Sequence, residues 1–437
     1  MRPQSNMKKF LRDMVATNMA FLARIILRKY RPKVVMVTGS VGKTSTKDAI
    51  AAVLDHRFYI RASEKSFNSE FGVPLTIIGA SNPWTNFPAW ARVYLEALAL
   101  IIFPNHYPKI LVLEVGADSP GDLAKILKFA TPDVVVVTRL PEMPVHVEAY
   151  ATPAAVREEE FAPAYALAPG RPLVVSADDT YARALAAPLS VHLTTYGTSE
   201  DADIRIVTDA PLLEDGKVCG MKGTVQIDGV VCDMPVYGAL GRPQLLAPAA
   251  AIAVGRILGM TVKEVLDGVK AYQPPAGRGR LIAGKNGSLI LDDSYNASPS
   301  AVQEALSSLQ LIRSVQPQSR LIAAIGDMLE LGRYSSHEHE RIGKEAAKKC
   351  DVLIAVGARS LAIAEAAKEA GMSEESVYHF NTAFEAAAFL KDFIQKDDVL
   401  LIKGSQSIRM ERIAETVIAN PTDQKYLVRQ DREWKKR

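Results

Sequence analysis

The chain has 437 residues, 48% of them hydrophobic and 23% charged, with 27 Gly and 25 Pro. That composition excludes disordered, collagen-like and coiled-coil proteins, and the length implies about two to three domains. Net charge is +3, but residues 1–33 carry nine Lys or Arg against Asp13 alone, so this head is +8 and the rest of the chain −5.

A mildly acidic body argues against a nucleic-acid partner. Cys219, Cys232 and Cys350 form no Cys-x-x-Cys pair. They exclude a disulfide scaffold, argue against a cysteine zinc site and fit a reducing compartment. No segment reads as a membrane span. The uncharged run Phe71–Ala91 is interrupted by Pro74, Pro83 and Pro88, and Met14–Ala23 ends at Arg24 with no cleavage site after it. The expected location is cytoplasmic, with the inner face of the membrane open as a resting place.

In chain order, residues 1–31 read as a basic amphipathic helix with Leu11, Val15, Met19, Leu22 and Ile26 on one stripe. The stripe either packs on the following domain, the reading we favour, or faces lipid. Strands are predicted at Val34–Thr38, Ile110–Val115, Val134–Thr138 and Leu173–Ser176, with helical stretches between them. Short alternating strands with turns at Asp215-Gly216 and Asp228-Gly229 fill Ile204–Val236 and read as an antiparallel addition. Helices follow at Leu245–Leu258 and Val262–Ala271, then the linker Gln273-Pro274-Pro275-Ala276-Gly277-Arg278-Gly279. A second series has strands near Leu289–Leu291, Leu321–Ile325, Val352–Val356 and Val399–Ile402. The fold class is α/β: a phosphate-loop central domain (33–272) with a mostly parallel sheet and a small antiparallel part, after a basic helix (1–32). A Rossmann-like α/β domain (280–420) and a basic tail (421–437) follow the linker (273–279).

The strongest local signal is Val37-Thr38-Gly39-Ser40-Val41-Gly42-Lys43-Thr44-Ser45. A strand runs into a glycine turn and a helix whose first N–H groups meet a phosphate. Lys43 would neutralise the β- and γ-phosphates and the Thr44 hydroxyl would ligate Mg²⁺. Gly39 and Gly42 are three apart, so the loop is shorter than the commonest phosphate loop. Glu114 ends the strand Ile-Leu-Val-Leu-Glu, where a second Mg²⁺ ligand is needed; alone, it would be a strand-end acid turned to solvent. His146 taken by itself is more often structural than a ligand. Glu158-Glu159-Glu160 lies on a predicted helix, and a solvated face is the default for such a run. Asp292-Asp293-Ser294-Tyr295-Asn296 at a strand end could hold a ribose or base, or be a turn with a helix cap. Lys403-Gly404-Ser405 is a further anion-contact position.

These segments, with Phe67-Asn68-Ser69-Glu70-Phe71-Gly72 and Gly326-Asp327-Met328-Leu329-Glu330-Leu331-Gly332, resemble the Mur ligase family in order, over residues 33–418. The resemblance implies an ATP- and Mg²⁺-dependent amide ligase of cell-wall precursor synthesis, of the branch that joins D-alanyl-D-alanine to a muramoyl tripeptide. It implies nucleotide contacts from Gly39, Ser40, Gly42, Lys43, Thr44, Ser45, Arg280, Asp293 and Asn296. Catalytic roles would fall to Lys43, Glu114 and His146, with metal contacts from Thr44, Glu114 and His146. Its partners would be a small-molecule or carrier-linked peptide acid and a dipeptide or amino-acid amine, with closure around the linker shutting out water.

Four departures stand out. Only about thirty residues precede the phosphate loop, where the family carries a UDP-gripping domain. No lysine occurs between Lys128 and Lys217, where the family carbamylates one to ligate Mg²⁺; Glu159 or Glu160 is expected to supply that charge, and Glu160 is taken as the metal contact. Gly241-Arg242-Pro243-Gln244 replaces a Gly-x-His pattern, and Arg139 stands where Asn is usual. Two alternatives therefore remain: a lipid-linked acceptor, with residues 1–31 and 84–103 (Trp84, Trp90 and Tyr94 among them) on the membrane interface, and a nucleotide-binding scaffold without catalysis.

Overall fold

The run Val34-Val35-Met36-Val37 is buried throughout, as only a central strand of a doubly covered sheet can be. It forms β1 (Lys33–Thr38) in a computed structural model that describes residues 3–64, 67–83, 86–431 and 434, without the side chains of residues 3–12 and of Phe87. The chain divides into two units: Met1–Pro141, Ala154–Arg205 and Ala247–Tyr272 form the first, and Glu142–Pro153, Ile206–Leu246 and Gln273–Arg437 the second.

In the first unit, helices α1 (Pro3–Tyr30), α2 (Lys43–Asp55), α3 (Gly72–Ile78) and α4 (Phe87–Ile102) alternate with β2 (Ile60–Ala62) and β3 (Ile110–Glu114). Then come α5 (Asp122–Leu127), β4 (Val134–Val137), α6 (Pro153–Tyr165), β5 (Pro172–Ser176), α7 (Thr180–Ala186) and β6 (His192–Gly197). The strands are parallel in the order β2-β3-β1-β4-β5-β6. From β1 the chain moves to β2 and β3 on one side, and β4 lies on the other. The loop after β1 therefore sits at a topological switch point, the crevice where open α/β sheets take ligands. The first residues of β7 (Ile204–Glu214) pair with β6. Helices α8 (Pro243–Ile257) and α9 (Val262–Lys270) return to this unit, where Gly268 lets α9 approach the α2 backbone at Val53. A capping box between Thr261 and Glu264 starts α9.

The stripe on α1 faces inward. Met19, Ala23 and Ile26 are fully buried in the first core, and Val15 and Leu22 pack against it. The side chain of Leu11 lies outside the described residues, as do Trp84 and Thr85. Among the described residues no helix is long and apolar enough to cross a membrane.

In the second unit β7 continues beside β8 (Lys217–Ile227), which pairs antiparallel with β9 (Val230–Tyr237). A six-stranded sheet follows, built from β10 (Arg280–Ala283), β11 (Leu289–Asp293), β12 (Leu321–Gly326), β13 (Val352–Val356), β14 (Val377–Phe380) and β15 (Val399–Lys403). Its order is β10-β11-β15-β12-β13-β14, parallel except for β10. Helices α10 (Pro299–Val315), α11 (Ser335–Lys349), α12 (Leu361–Glu369), α13 (Ala383–Phe393) and α14 (Glu411–Val417) complete it. The register pairs Asp293 with Lys403, so the loops after β11, β15 and β12 leave the same carboxyl edge.

Candidate active site

In the first unit the chain turns out of β1 through Gly39 and Gly42, with φ of 119° and 91°, where L side chains are strained. Gly42, in the left-handed region, is the N-cap of the 13-residue helix α2. Ser40 N–H donates to the Arg139 carbonyl at 2.9 Å, which fixes the loop through backbone; Arg139 thus serves the loop by its main chain. Lys43 Nζ donates to the Gly39 carbonyl across the turn. Ser45 is buried in the first turn of α2, and the Thr44 hydroxyl donates to Glu114 Oε1 at 3.2 Å. Glu114 is buried rather than turned to solvent, with its N–H held by Ser63 Oγ at 3.1 Å.

The three glutamates of α6 have different surroundings, which corrects the solvated-face expectation for two of them. Glu158 is exposed and accepts from the Tyr165 hydroxyl at 2.5 Å. Glu159 accepts from Gly121 N and Leu123 N, both at 3.0 Å, and so caps α5. Glu160 is only 2% exposed. It accepts from Ser40 Oγ and stands 3.8 Å from Lys43 Nζ. Gly39, Ser40, Gly42, Lys43, Thr44, Ser45, Glu114 and Glu160 thus gather around one loop. Asn68 joins them unforeseen: a Cβ at Gly116 would lie 3.1 Å from its Nδ2 and 3.3 Å from Lys43 Cε.

The other expected site residues belong to the second unit. His146 and Glu330 are both non-glycine residues with positive φ, 63° and 65°, and they meet at 2.8 Å from Nδ1 to Oε2. Backbone strain of this kind costs about 1–3 kcal/mol per residue and persists where surrounding contacts enforce it. Those contacts are visible around Glu330. Leu329 N–H donates to Ser405 Oγ at 2.9 Å, Met328 N–H to His339 Nε2 at 3.0 Å, and Asp327 Oδ1 accepts from Ser360 N at 2.8 Å. The hydrogen bond from His146 holds the Glu330 carboxyl below the ordinary carboxylate range. A cavity of about 420 Å³ is lined by His146, Asn296, Glu330, Ser405, Arg409 and Trp434, among others.

Behind it, Asp293 pairs with buried Lys403 at 2.6 Å, and Lys403 also donates to the Asn296 carbonyl at 3.0 Å. Burial lowers the Lys403 pKa, and Asp293 opposes that shift. Arg280 stays apart from the cavity lining: it donates to the Pro274 carbonyl at 2.8 Å and lies 4.4 Å over the Tyr426 ring. In the altered Gly241-Arg242-Pro243-Gln244 segment, Arg242 pairs with Asp209 at 2.8 Å and Gln244 donates to the Arg278 carbonyl at 2.9 Å. Sequence reasoning missed Arg429, a buried residue of the tail that pairs with Glu411 at 2.8 Å.

Asp292 is fully buried, and burial pushes its carboxyl up to about 6. An unfolded aspartate titrates near 3.9, so between about pH 4 and 6 the folded state binds the extra proton. Its favourable share is whole below pH 4 and is lost as pH rises through 6, an effect of about 2–3 kcal/mol. Thermal unfolding measured from pH 4 to 7 is therefore expected to show a component of declining stability that Asp292→Asn removes, whatever that variant's absolute Tm.

Two adjoining family models match this chain, the Mur ligase middle domain over residues 37–240 and the Mur ligase, glutamate ligase domain over residues 277–406. The chain belongs to the Mur ligase family, and by class it is an ATP-dependent enzyme that joins a carboxylate to an amine. Among its relatives is the UDP-N-acetylmuramoyl-tripeptide–D-alanyl-D-alanine ligase of Bacillus subtilis (strain 168), 27% identical over 420 residues, covering 96% of this chain and 83% of the relative. Among solved structures, the MurF ligase from Thermotoga maritima in complex with ADP is 25% identical, with a TM-score of 0.75 over 92% of this chain and 83% of that one. Folylpolyglutamate synthase of Mycobacterium tuberculosis, at 16% identity and a TM-score of 0.63 over 90% of this chain and 94% of that one, shares the fold.

Proposed function

We propose that this enzyme phosphorylates the terminal carboxylate of a muramoyl tripeptide with ATP and joins the resulting acyl phosphate to D-alanyl-D-alanine. The observation that carries the reading is the first-unit loop, where Lys43, Thr44 and Glu114 converge at the start of α2. A carboxylate is a poor acyl donor and repels the γ-phosphate it must attack. Lys43 and the N–H groups of α2 bind the phosphates and offset that repulsion. The incoming amine then attacks the acyl carbon and phosphate leaves. The second-unit cavity presents groups of both charges to a short zwitterionic amine, Arg409 paired with Glu411 and Glu330 paired with His146.

Mg²⁺ fits the first-unit loop on the chemistry of its donors. Thr44 Oγ1 and Glu114 Oε1 already share a proton at 3.2 Å, and both are hard oxygen ligands. Among the described residues no three His, Cys, Asp or Glu side chains converge. That matches an ion held by one or two protein oxygens and by phosphate. When bound, the ion supplies positive charge to the transferring phosphoryl group.

Glu160 is the acid of α6 that serves this site, providing in its own side chain the negative charge that the family's carbamylated lysine provides. Its burial against Ser40 and Lys43 supports this assignment. Glu160→Gln is expected to raise the Mg²⁺ concentration needed for ATP binding by about 10–100-fold in calorimetry. Glu159→Gln is expected to lower Tm through the lost α5 cap and leave the Mg²⁺ titration unchanged. If Glu160→Gln leaves it unchanged as well, the assignment fails.

Phosphate release from ATP tests the whole reading: it should require both a muramoyl tripeptide and D-alanyl-D-alanine. ATP binding without release on any acceptor would instead mark a scaffold. Release that needs a lipid-linked peptide in place of a UDP-linked one would mark a lipid-carried acceptor.

A further inference from the structure

We propose that the outward faces of α1 and α4 form a docking surface for an anionic lipid bilayer. The inference goes beyond the ligase reading and stands whichever amine is joined, because neither helix carries a residue of the phosphate loop.

The two helices are packed side by side and run in the same direction. Asn18 of α1 hydrogen-bonds the Tyr94 side chain of α4, and Lys29, eleven residues on, reaches the end of α4. There Lys29 Nζ donates to the carbonyls of Leu100, Ile101 and Phe103 at 2.7, 3.0 and 2.6 Å. These are the orphan acceptors at a helix C-terminus, so one ammonium fixes the pair as a unit. The Tyr30 hydroxyl adds a bond to the Leu100 carbonyl at 2.8 Å.

The inner faces are spent on the core, through Met19, Ala23 and Ile26 on α1 and Val93 and Ala97 on α4. The outer face of α4 is nevertheless apolar. Leu95 and Ile102 are each 66% exposed, with Leu98 between them, a spacing of three and four residues that aligns them on one stripe. Phe103 follows the stripe at the end of α4, and on α1 Phe21 is 63% exposed. Scattered exposed hydrophobics need no explanation, but a helical stripe of them does.

Charge selects the occupant. Arg24 and Arg28 are exposed on α1 and Arg31 and Lys33 are exposed just after it, against a single exposed acid, Asp13, on that helix. On α4, Arg92 and Glu96 neutralise each other at 2.8 Å. A second copy of the chain would bring the same positive charge to the contact, whereas an anionic bilayer offers both acyl chains and opposite charge.

Flotation of the full chain with vesicles tests the proposal. Recovery with phosphatidylglycerol–phosphatidylcholine vesicles should exceed that with pure phosphatidylcholine by at least about tenfold at low salt, and the excess should fall away at high salt. Leu95→Glu/Ile102→Glu and Arg24→Glu/Arg28→Glu should each lose about tenfold or more in binding. Both pairs are surface changes, so ATP affinity should stay at the parent value; a ligase failure would show in that measurement and not in flotation. Equal recovery on neutral and anionic vesicles would overturn the proposal. So would a parent that sediments as a dimer and becomes monomeric on Leu95→Glu/Ile102→Glu, because the surface would then belong to a second copy.

Discussion

Replacing Lys43 by alanine is expected to lower single-turnover phosphate release by about 10²–10³-fold, the cost of removing one preorganised charge from a developing anion. Lys43 enters from the first turn of α2, and its ammonium is positioned over the loop by the Gly39 carbonyl with Glu160 nearby. Among the described residues it makes one hydrogen bond, to the Gly39 carbonyl, and one longer ion pair, to Glu160, so alanine should cost only about 1 kcal/mol of stability. The rate effect is expected to be larger because negative charge builds on the phosphoryl oxygens as the carboxylate attacks. For the same reason kcat should fall more than ATP affinity does. The measurement is rapid-quench phosphate release beside calorimetry with ATP, on protein whose Tm has been checked. A variant that still ligates at the parent rate would remove the phosphate-loop assignment, and with it the reason to place chemistry in the first unit.

The first-unit loop was the part most legible in the sequence, because its signals are continuous. A buried strand, a glycine turn and a Lys-Thr helix start adjoin one another, and Glu114 closes the next apolar strand. The central strands β1, β3, β4, β5, β12, β13 and β15 stand out for the same reason, each being fully or almost fully buried. The strands left out were β2, β6, β10 and β14, which are half-buried or polar in part; β2, β10 and β14 also lie at sheet edges. An edge strand lacks the continuous apolar run that burial on both faces demands.

Other parts of the site were out of reach for physical reasons. Successive residues on a helix point about 100° apart, so Glu158, Glu159 and Glu160 face a surface, a cap and a phosphate loop, and no pattern in the run says which is which. The His146–Glu330 contact depends on two strained turns far apart in sequence, each held by its own neighbours. The tail reads as a basic tract by composition, and a single arginine carries no sign that it folds inward.

That arginine supports the other large expected effect. Glu411 is fully buried between two guanidinium groups, accepting from Arg409 Nε at 2.5 Å and from Arg429 Nη1 at 2.8 Å. Burial lowers the Arg429 pKa, and the carboxylate of Glu411 opposes that shift. Arg429 also donates to the Ser294 carbonyl at 3.3 Å and to the Tyr295 carbonyl, tying the tail to the loop that carries Asn296. Glu411→Gln keeps the shape and removes the charge, leaving a buried guanidinium uncompensated, for which the expected loss is about 3–5 kcal/mol. Arg429→Met removes one arginine while Arg409 still serves Glu411, so a smaller loss of about 1–3 kcal/mol is expected. Because the two residues share one interaction, the double variant should lose less than the sum of the singles. Urea unfolding followed by tryptophan fluorescence reads this directly, since Trp434 lies 5.6 and 5.7 Å from the two guanidinium groups. Strictly additive losses would mean that the pair is not coupled and that the tail is held by packing alone.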